Sequence, residues 1–520
     1  MSILTSLRRL GSAAAVFLGR HGAVSQLARR RDVCRQSVYR EADAALEQVE
    51  GAASRQEVQE LRAECDRLRR RIEALEARLG EAVWIDADRQ ARFAATAQAE
   101  GVSLPVTRRL LAVFLGSAAP SVSRLGRWTR AAGRAATARL EVLDEAARPR
   151  VEQAAGDEIF FGGRPCLMAI EQHALCWLTA RLTDRRDGEA WAAELRAWPA
   201  LAQFTRDAGQ ALSRGVALAN AERRRRGREP FADQEDHFHA LRAGGPALRR
   251  LEGRAARLLA RAELADRRAA RRTRERGGPG SLAGAATRAW RAATRAMDAW
   301  SAAGEAWARV GEALRLFTPK GELNTRTRAE AALEAALEEL TGPRWAKARR
   351  MLRRPRLLTF LDRAERELAA LPVEAELCRA AVQVEGLRRR PEALREEGAG
   401  ARRGVLLAAG LVLTLSGPAG AEALTEVRRV LDAAWRASSL VECINSVARM
   451  QQSRHRRMTQ GLLNLKRLYW NCRRFRTGKR RGRTPYELLG LKLPTADWWD
   501  LLQLAPEQLR QQLSAPRVAA

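Results

Sequence analysis

Residues 156–209 read GDEIFFGGRPCLMAIEQHALCWLTARLTDRRDGEAWAAELRAWPALAQFTRDAG. Three short apolar runs, 156–163, 165–172 and 173–184, are separated by Gly, Pro or polar turns, the signature of three meandering strands. DGEAWAAELRAWP (187–199) has the spacing of an amphipathic helix. ALAQFTRDAG (200–209) reads as a buried strand ending at Asp207, with Gly209 permitting a sharp turn. Gln210–Arg226 reads as a helix with a very basic end. Strand alternation puts Asp157, Ile159 and Phe161 on one face. Asp207 follows Asp157 by 50 positions (207 − 157 = 50), room for a meander, a helix and a strand.

The surrounding chain is long and basic. Its 520 residues favour three or four domains. Lys and Arg number 93 against 61 Asp and Glu, giving a formal charge of +32. Such a charge repels itself unless a polyanion neutralises it, and nucleic acid is the natural counterpart. A GC-rich genome explains Arg in place of Lys, but not the excess. Seven dispersed cysteines with no CxxC pair read as reduced thiols, and their spacing builds no zinc knuckle. The apolar stretch 13–18 is short and runs into Arg20-His21, so it is not read as a secretory signal. Val405–Leu415 is too short to span a bilayer and is expected to be a buried helix or strand. The expectation is a cytoplasmic, nucleoid-associated protein without membrane contact.

Before residue 151 the pattern is helical. Residues 1–46 hold a helix-turn-helix spacing. Val24, Leu27 and Ala28 form one apolar face, Arg31-Asp32 a break, and Val33, Val38 and Ala42 a second face. Arg35, Gln36 and Arg40 then face outward, toward a DNA major groove. A plain helical hairpin has the same spacing. Residues 47–80 carry a coiled-coil seam: Val58, Leu61, Cys65, Leu68, Ile72, Leu75 and Leu79. It suits self-association, or a hairpin folded back within one chain. Residues 81–150 form a second helical unit, DNA-binding or linker, with Arg108 and Arg109 exposed. From 245 to 425 the helical pattern returns, with 388–404 as a loop.

Residues 438–475, SSLVECINSVARMQQSRHRRMTQGLLNLKRLYWNCRRF, decide the chemistry. With Gly478-Lys479-Arg480 and Thr484-Pro485-Tyr486 behind it, this block resembles the C-terminal block of DDE insertion-sequence transposases. In that block a Ser, a catalytic Glu and an Asn open a helix; here these are Ser439, Glu442 and Asn445. PFADQEDHFHALR (230–242) is similar to a Mutator-like transposase element through Asp236 and His239.

The resemblance implies an α+β, mostly α protein. An RNase H-like mixed sheet core is split into 151–244 and 426–520 by an all-helical insertion, 245–425, behind an N-terminal helical DNA-binding domain. Asp157, Asp207 and Glu442 would be both catalytic residues and ligands of two Mg²⁺ or Mn²⁺ ions, since these ions take hard oxygen ligands. Asp233 and Asp236 compete with Asp207 for the second position. Phosphate contacts are expected from Arg454, Arg457, Lys466, Arg473, Arg474, Lys479 and Arg480, with nearby aromatics for stacking. Trp290, Trp300, Trp307 and Trp345 either stack on a DNA base or fill the insertion's core. Implied partners are the terminal inverted repeats, target DNA and a second copy of the chain, as a homodimer or higher oligomer. An inactive, transposase-derived DNA-binding protein and a helical RNA-binding scaffold are the alternatives. Neither a Ser/His/Asp triad nor a phosphate-binding Gly-rich loop is evident.

Overall fold

Helix-period apolar spacing dominates the chain, and one stretch of period-two alternation interrupts it, so the molecule is mostly helical around one sheet. The computed structural model describes residues 3–17, 19, 21–49, 55–81, 85–452 and 457–514. These fall into two units, Met1–Ala87 and Asp88–Ala520.

The first unit contains α1 (Ile3–Phe17), α2 (Ala23–Arg31), α3 (Arg35–Val49) and α4 (Arg55–Glu81). Asp32 takes a left-handed conformation, φ 52°, and its N–H closes α2 onto Ala28 and Arg29. The chain therefore breaks where the sequence places the turn. Ala28, Val38 and Ala42 are buried, while Arg35, Gln36 and Arg40 stay exposed. Arg31 ties α1 to α3 by donating to Ser12 Oγ (2.9 Å) and Glu41 Oε2 (3.1 Å). Along α4, the seam residues Leu61, Leu68, Ile72 and Leu75 are exposed.

The second unit opens with α5 (Ala87–Ala99), α6 (Leu104–Leu115) and α7 (Val122–Ala147). Then come β1 (Gln153–Phe161), β2 (Arg164–Glu171), β3 (Cys176–Leu182), α8 (Gly188–Arg196), β4 (Gln203–Arg206), α9 (Gln210–Arg225) and β5 (Ala232–Glu235). The strands form one mixed sheet in the order β3-β2-β1-β4-β5. β1 and β2 pair antiparallel, as do β2 and β3; β1 with β4 and β4 with β5 are parallel.

Ten helices follow: α10 (His237–Arg276), α11 (Ser281–Ala313), α12 (Arg326–Glu339), α13 (Ala346–Leu352), α14 (Thr359–Ala369), α15 (Ala375–Arg389), α16 (Gly400–Leu415), α17 (Gly417–Asp432), α18 (Ser439–Gln452) and α19 (Gln460–Cys472). Short helical segments complete the C-terminus. Helix α10 crosses position 245 without a break, with Pro246 inside it. The 388–404 stretch is not an open loop; the end of α15, a 3₁₀ turn and the start of α16 occupy most of it. Val405–Leu415 is helical but not buried as a whole. Only Ala409 and Leu413 are buried, and Leu407, Leu411 and Leu415 face outward, because one helix face suffices for packing on α15 and α17. No described helix is long and apolar enough to cross a membrane.

Alternation along β1 sorts the sheet into two cores. Ala154, with Leu167, Ala169 and Phe204, packs under α7, α8, α9 and α19. Ala155, Ile159 and Phe161, with Met168 and Ile170, pack against Val441, Ile444 and Ala448 of α18. Fully burying an aliphatic side chain such as Val441 or Ile444 is worth about 2 kcal/mol, so this contact fixes α18 on the sheet. At Gly156 any Cβ would stand 2.5 Å from the Phe204 ring and 3.0 Å from Trp191, so a side chain there would push β4 and α8 away.

Each sheet edge is covered. Helix α19 lies along β3, where Asn471 accepts from Trp177 N (2.8 Å) and donates to Trp177 O (3.0 Å). Gln460 does the same one strand length away, through Leu182 N (2.9 Å) and Ala180 O (2.6 Å). Side-chain amides thus satisfy an edge that would otherwise invite pairing with another chain. At β5, Gln234 accepts from Phe360 N (2.7 Å) and donates to Leu357 O (2.8 Å).

Candidate active site

The parallel register of β1 and β4 sets Gly156 opposite Arg206. The next residue after each is an aspartate, so Asp157, inside β1, and Asp207, one residue past the end of β4, follow the last parallel pair of the two strands. Asp207 Oδ1 accepts from Gly209 N (2.9 Å), a tight turn into α9. Helix α18, packed across the same face, brings Glu442 and Asn445 to this edge. Asn445 Nδ2 donates to Asp157 Oδ2 at 2.6 Å. Asp157 Oδ1 accepts from Glu158 N (2.7 Å).

Asp157 is 9% exposed. Burial pushes its pKa up, the Glu158 N–H pulls it down, and the neighbouring Asp207 and Glu442 charges push it up again, to about 6. The three carboxylates named by the sequence therefore share one electrostatic neighbourhood.

Asp236 and His239 are not part of a strand. Asp236 caps α10 and accepts from Phe238 N (2.8 Å), Ser438 N (3.1 Å) and Ser438 Oγ (2.7 Å). Its Oδ2 also meets His239 Nδ1 at 2.5 Å. That bond raises the His239 pKa, against the opposing effect of burial. His239 Nε2 lies 3.9 Å from Glu442 Oε1. An Asp–His pair thus leans on the third carboxylate. Burial alone would lift the Asp236 pKa, but the hydrogen bonds from His239, Ser438 and Phe238 leave it below the ordinary range.

Asp233 is occupied elsewhere. Arg206 is fully buried and grips Asp233 through two hydrogen bonds, 2.7 and 2.8 Å. Arg206 also donates to Asp207 O and Ser213 Oγ, each at 2.8 Å, fixing the backbone at the end of β4. The sequence reading passed over Arg206; a lone Arg inside an otherwise apolar strand is the signal that could have marked it, since such a charge needs a buried partner.

Among the described residues, no three His, Cys, Asp or Glu side chains form a ready metal-binding group. The donor chemistry nevertheless suits a hard divalent cation: the Asp207 and Glu442 charges both push up the pKa of Asp157, and the buried Asn445 Oδ1 has no hydrogen-bond partner among the described residues. No family, curated protein or solved structure matches the chain.

Lys466 is a correction to the expected DNA contacts. It is buried, with Nζ donating to Ala99 O at 2.6 Å, and burial lowers its pKa to about 8. Its place on the inner face of α19 removes it from any phosphate. Arg480 is half-buried and bound to the carbonyls of His173 (2.8 Å) and Gln172 (3.0 Å), a structural clamp. Arg457, Arg473, Arg474 and Lys479 are exposed, although Arg474 pairs with Glu487 at 2.9 Å. Arg454 lies outside the described residues. Trp345 is buried against Trp307 (centroids 5.4 Å), a core pair, while Trp290 and Trp300 on α11 are exposed.

Proposed function

We propose that the protein is a DNA transposase of the DDE type, cutting and rejoining DNA at an RNase H-like core. The observation that carries this reading is that Asp207 and Glu442 both act on the charge of Asp157 beside the last parallel pair of β1 and β4, from positions up to 285 apart (442 − 157 = 285). The strand order, with one antiparallel meander joined to two parallel strands and a late helix across the face, supports the fold assignment.

Asp157, Asp207 and Glu442 would hold two Mg²⁺ or Mn²⁺ ions, with Asn445 Oδ1 as a neutral neighbour. Bound there, such ions activate an attacking water or 3′-hydroxyl and stabilise the leaving oxygen. The chain's own contribution is positional. Asn445 orients Asp157, Arg206 fixes the backbone of Asp207, and Asp236 orients His239 toward Glu442. Exposed cations at Arg35, Arg40, Arg457, Arg473 and Lys479, with Gln36, would take DNA, both terminal inverted repeats and target. The open seam of α4 would join a second copy of the chain.

The second reading is a DNA-binding protein of transposase descent that no longer cuts. Incubating purified protein with a duplex carrying the element's own ends, in Mg²⁺ or Mn²⁺, separates them. Wild type should nick, while Asp157→Ala, Asp207→Ala and Glu442→Ala should bind without nicking. Binding without nicking by wild type selects the second reading, and nicking by all three variants refutes the first.

A further inference from the structure

A second basic site lies apart from the carboxylates, where the loop 434–438 meets the end of α11 and the 479 region. It is a cavity of about 480 Å³ lined by Arg315, Arg389, Arg390, Arg436 and Lys479. Asp432 is the one acid among its described lining residues, and Arg389 already holds it at 2.7 Å. Arg390, 4% exposed, pairs with Glu312 (2.6 Å) and Glu392 (2.8 Å), yet its buried Nη1 has no hydrogen-bond partner among the described residues. Glu312 is shared again with Arg315 at 3.3 Å.

Among the described residues, two of the five cations form no ion pair with a carboxylate. Arg436 donates to a neutral carbonyl, Leu314 O, at 3.0 Å. Burial lowers its pKa, Arg315 and Arg390 lower it further, and the Glu312 charge only partly opposes them. Lys479 Nζ sits over the Trp435 ring, 5.7 Å from the centroid. Like charges lining one cavity are unfavourable unless an anion shares their field. A cavity this size holds far more than a water, which takes about 30 Å³.

The cavity wall is bolted to the candidate active site. Trp435 O accepts from Gln203 (2.7 Å), Ala437 O from Gln172 (3.2 Å), Arg436 O from His237 N (3.0 Å), and Ser438 binds Asp236. Ser439, at the start of α18, lines the cavity, and Glu442 follows within one helical turn.

We propose that this cavity seats a backbone phosphate of a DNA strand passing near the carboxylates, anchoring it by Arg390 Nη1 and by Arg315, Arg436 and Lys479. The inference rests on the DNA-binding part of the proposed function. Its role is to set the strand's register against Asp157 and Glu442, not to take part in the chemistry.

The test is binding of a short DNA duplex by the whole chain in EDTA, measured against salt concentration. Arg315→Ala with Lys479→Ala removes two side chains at the cavity mouth. This pair should weaken binding by about tenfold and lower the salt slope by about one. Lys347→Ala with Arg350→Ala, two exposed cations on α13, removes the same charge elsewhere and should cost less than twofold. Equal losses for the two pairs, or no loss for the first, would overturn the phosphate seat while leaving the carboxylate reading intact. Failure of wild type to bind any duplex would overturn both.

Discussion

Asn445 donates a hydrogen bond to Asp157 across 2.6 Å, joining helix α18 to strand β1 at the point where the carboxylates gather. The two residues are 288 positions apart. Replacing Asn445 by Ala frees Asp157 Oδ2 and removes its orienting partner. Loss of such an orienting residue costs about 10- to 100-fold in metal affinity or activity, so Asn445→Ala should nick at about a tenth of the wild-type rate or less. Asn445→Asp should be worse, because it adds a like charge at hydrogen-bond distance from a carboxyl already raised to about 6. Single-turnover nicking rates decide the matter, and an Asn445→Asp variant faster than Asn445→Ala would contradict this account.

Asp236 serves three masters at once: the first turn of α10, the loop at Ser438, and the ring of His239. Asp236→Ala should destabilise the fold by about 2 kcal/mol through the lost cap and the unpaired Ser438 hydroxyl. Asp236→Asn keeps the cap but cannot hold a charged His239. It should destabilise the fold less than Asp236→Ala does, because Oδ1 still accepts from Phe238 N and Ser438 N. Its nicking should nonetheless fall and lose its dependence on His239 protonation. A pH–rate profile for Asp236→Asn that overlays the wild-type profile would show that the Asp–His pair does nothing for the carboxylates.

What could be read in advance depended on how local the signal was. Strands β1 to β4 announce themselves by alternation and turn residues; Asp157 follows from its face of the first strand and Asp207 from the end of the fourth. Glu442 needed a motif, because nothing in a helix's own pattern says which sheet it will cross. Lys466 was misread for the same reason. A cation beside Leu462, Leu463 and Leu465 in a basic stretch looks solvent-bound, yet the turn of α19 carries it inward to a single carbonyl of Ala99. Arg206, Asn471 and Gln460 escaped notice because their roles are set by partners distant in sequence, which a charge count cannot supply.

Glu385 makes the insertion sensitive to acid. It is fully buried in α15, and Arg388, Arg389 and Arg428 all bond to its carboxylate. Burial would raise its pKa, but the hydrogen bonds from Arg388, Arg428 and Arg389 outweigh it and bring the value down to about 2. A folded pKa below the ordinary carboxylate value means the stabilisation is complete above about pH 4.5 and lost as the pH falls toward 2. Glu385→Ala leaves three arginines facing an empty centre and should cost about 3 kcal/mol at pH 7. The gap between variant and wild type should close steadily in denaturation curves taken from pH 5 down to pH 2. A gap that stays constant over that range would show that the carboxylate's charge is not what holds α15 to α17.

The seam of α4 specifies how two chains would meet. With Val58, Cys65, Ile72 and Leu79 at one core position of the heptad and Leu61, Leu68 and Leu75 at the other, the flanking charges fall into pairs. In a parallel, in-register coil Glu64 faces Arg69 of the second chain and Arg71 faces Glu76; both pairs attract. Within one chain α3 runs along the flank, where Asp43 meets Arg69 at 2.5 Å and Arg35 meets Glu76 at 4.0 Å, leaving the apolar seam uncovered. Parallel register also sets Cys65 of one chain against Cys65 of the other. Mild oxidation should therefore give a covalent dimer that Cys65→Ser abolishes, even though Cys34 and Cys443 are more exposed. Leu68→Asp, which places a charge in the seam, should give a monomer by light scattering and no cross-link. A dimer that survives Leu68→Asp, or a cross-link that persists in Cys65→Ser, would mean that the chains meet through some other face.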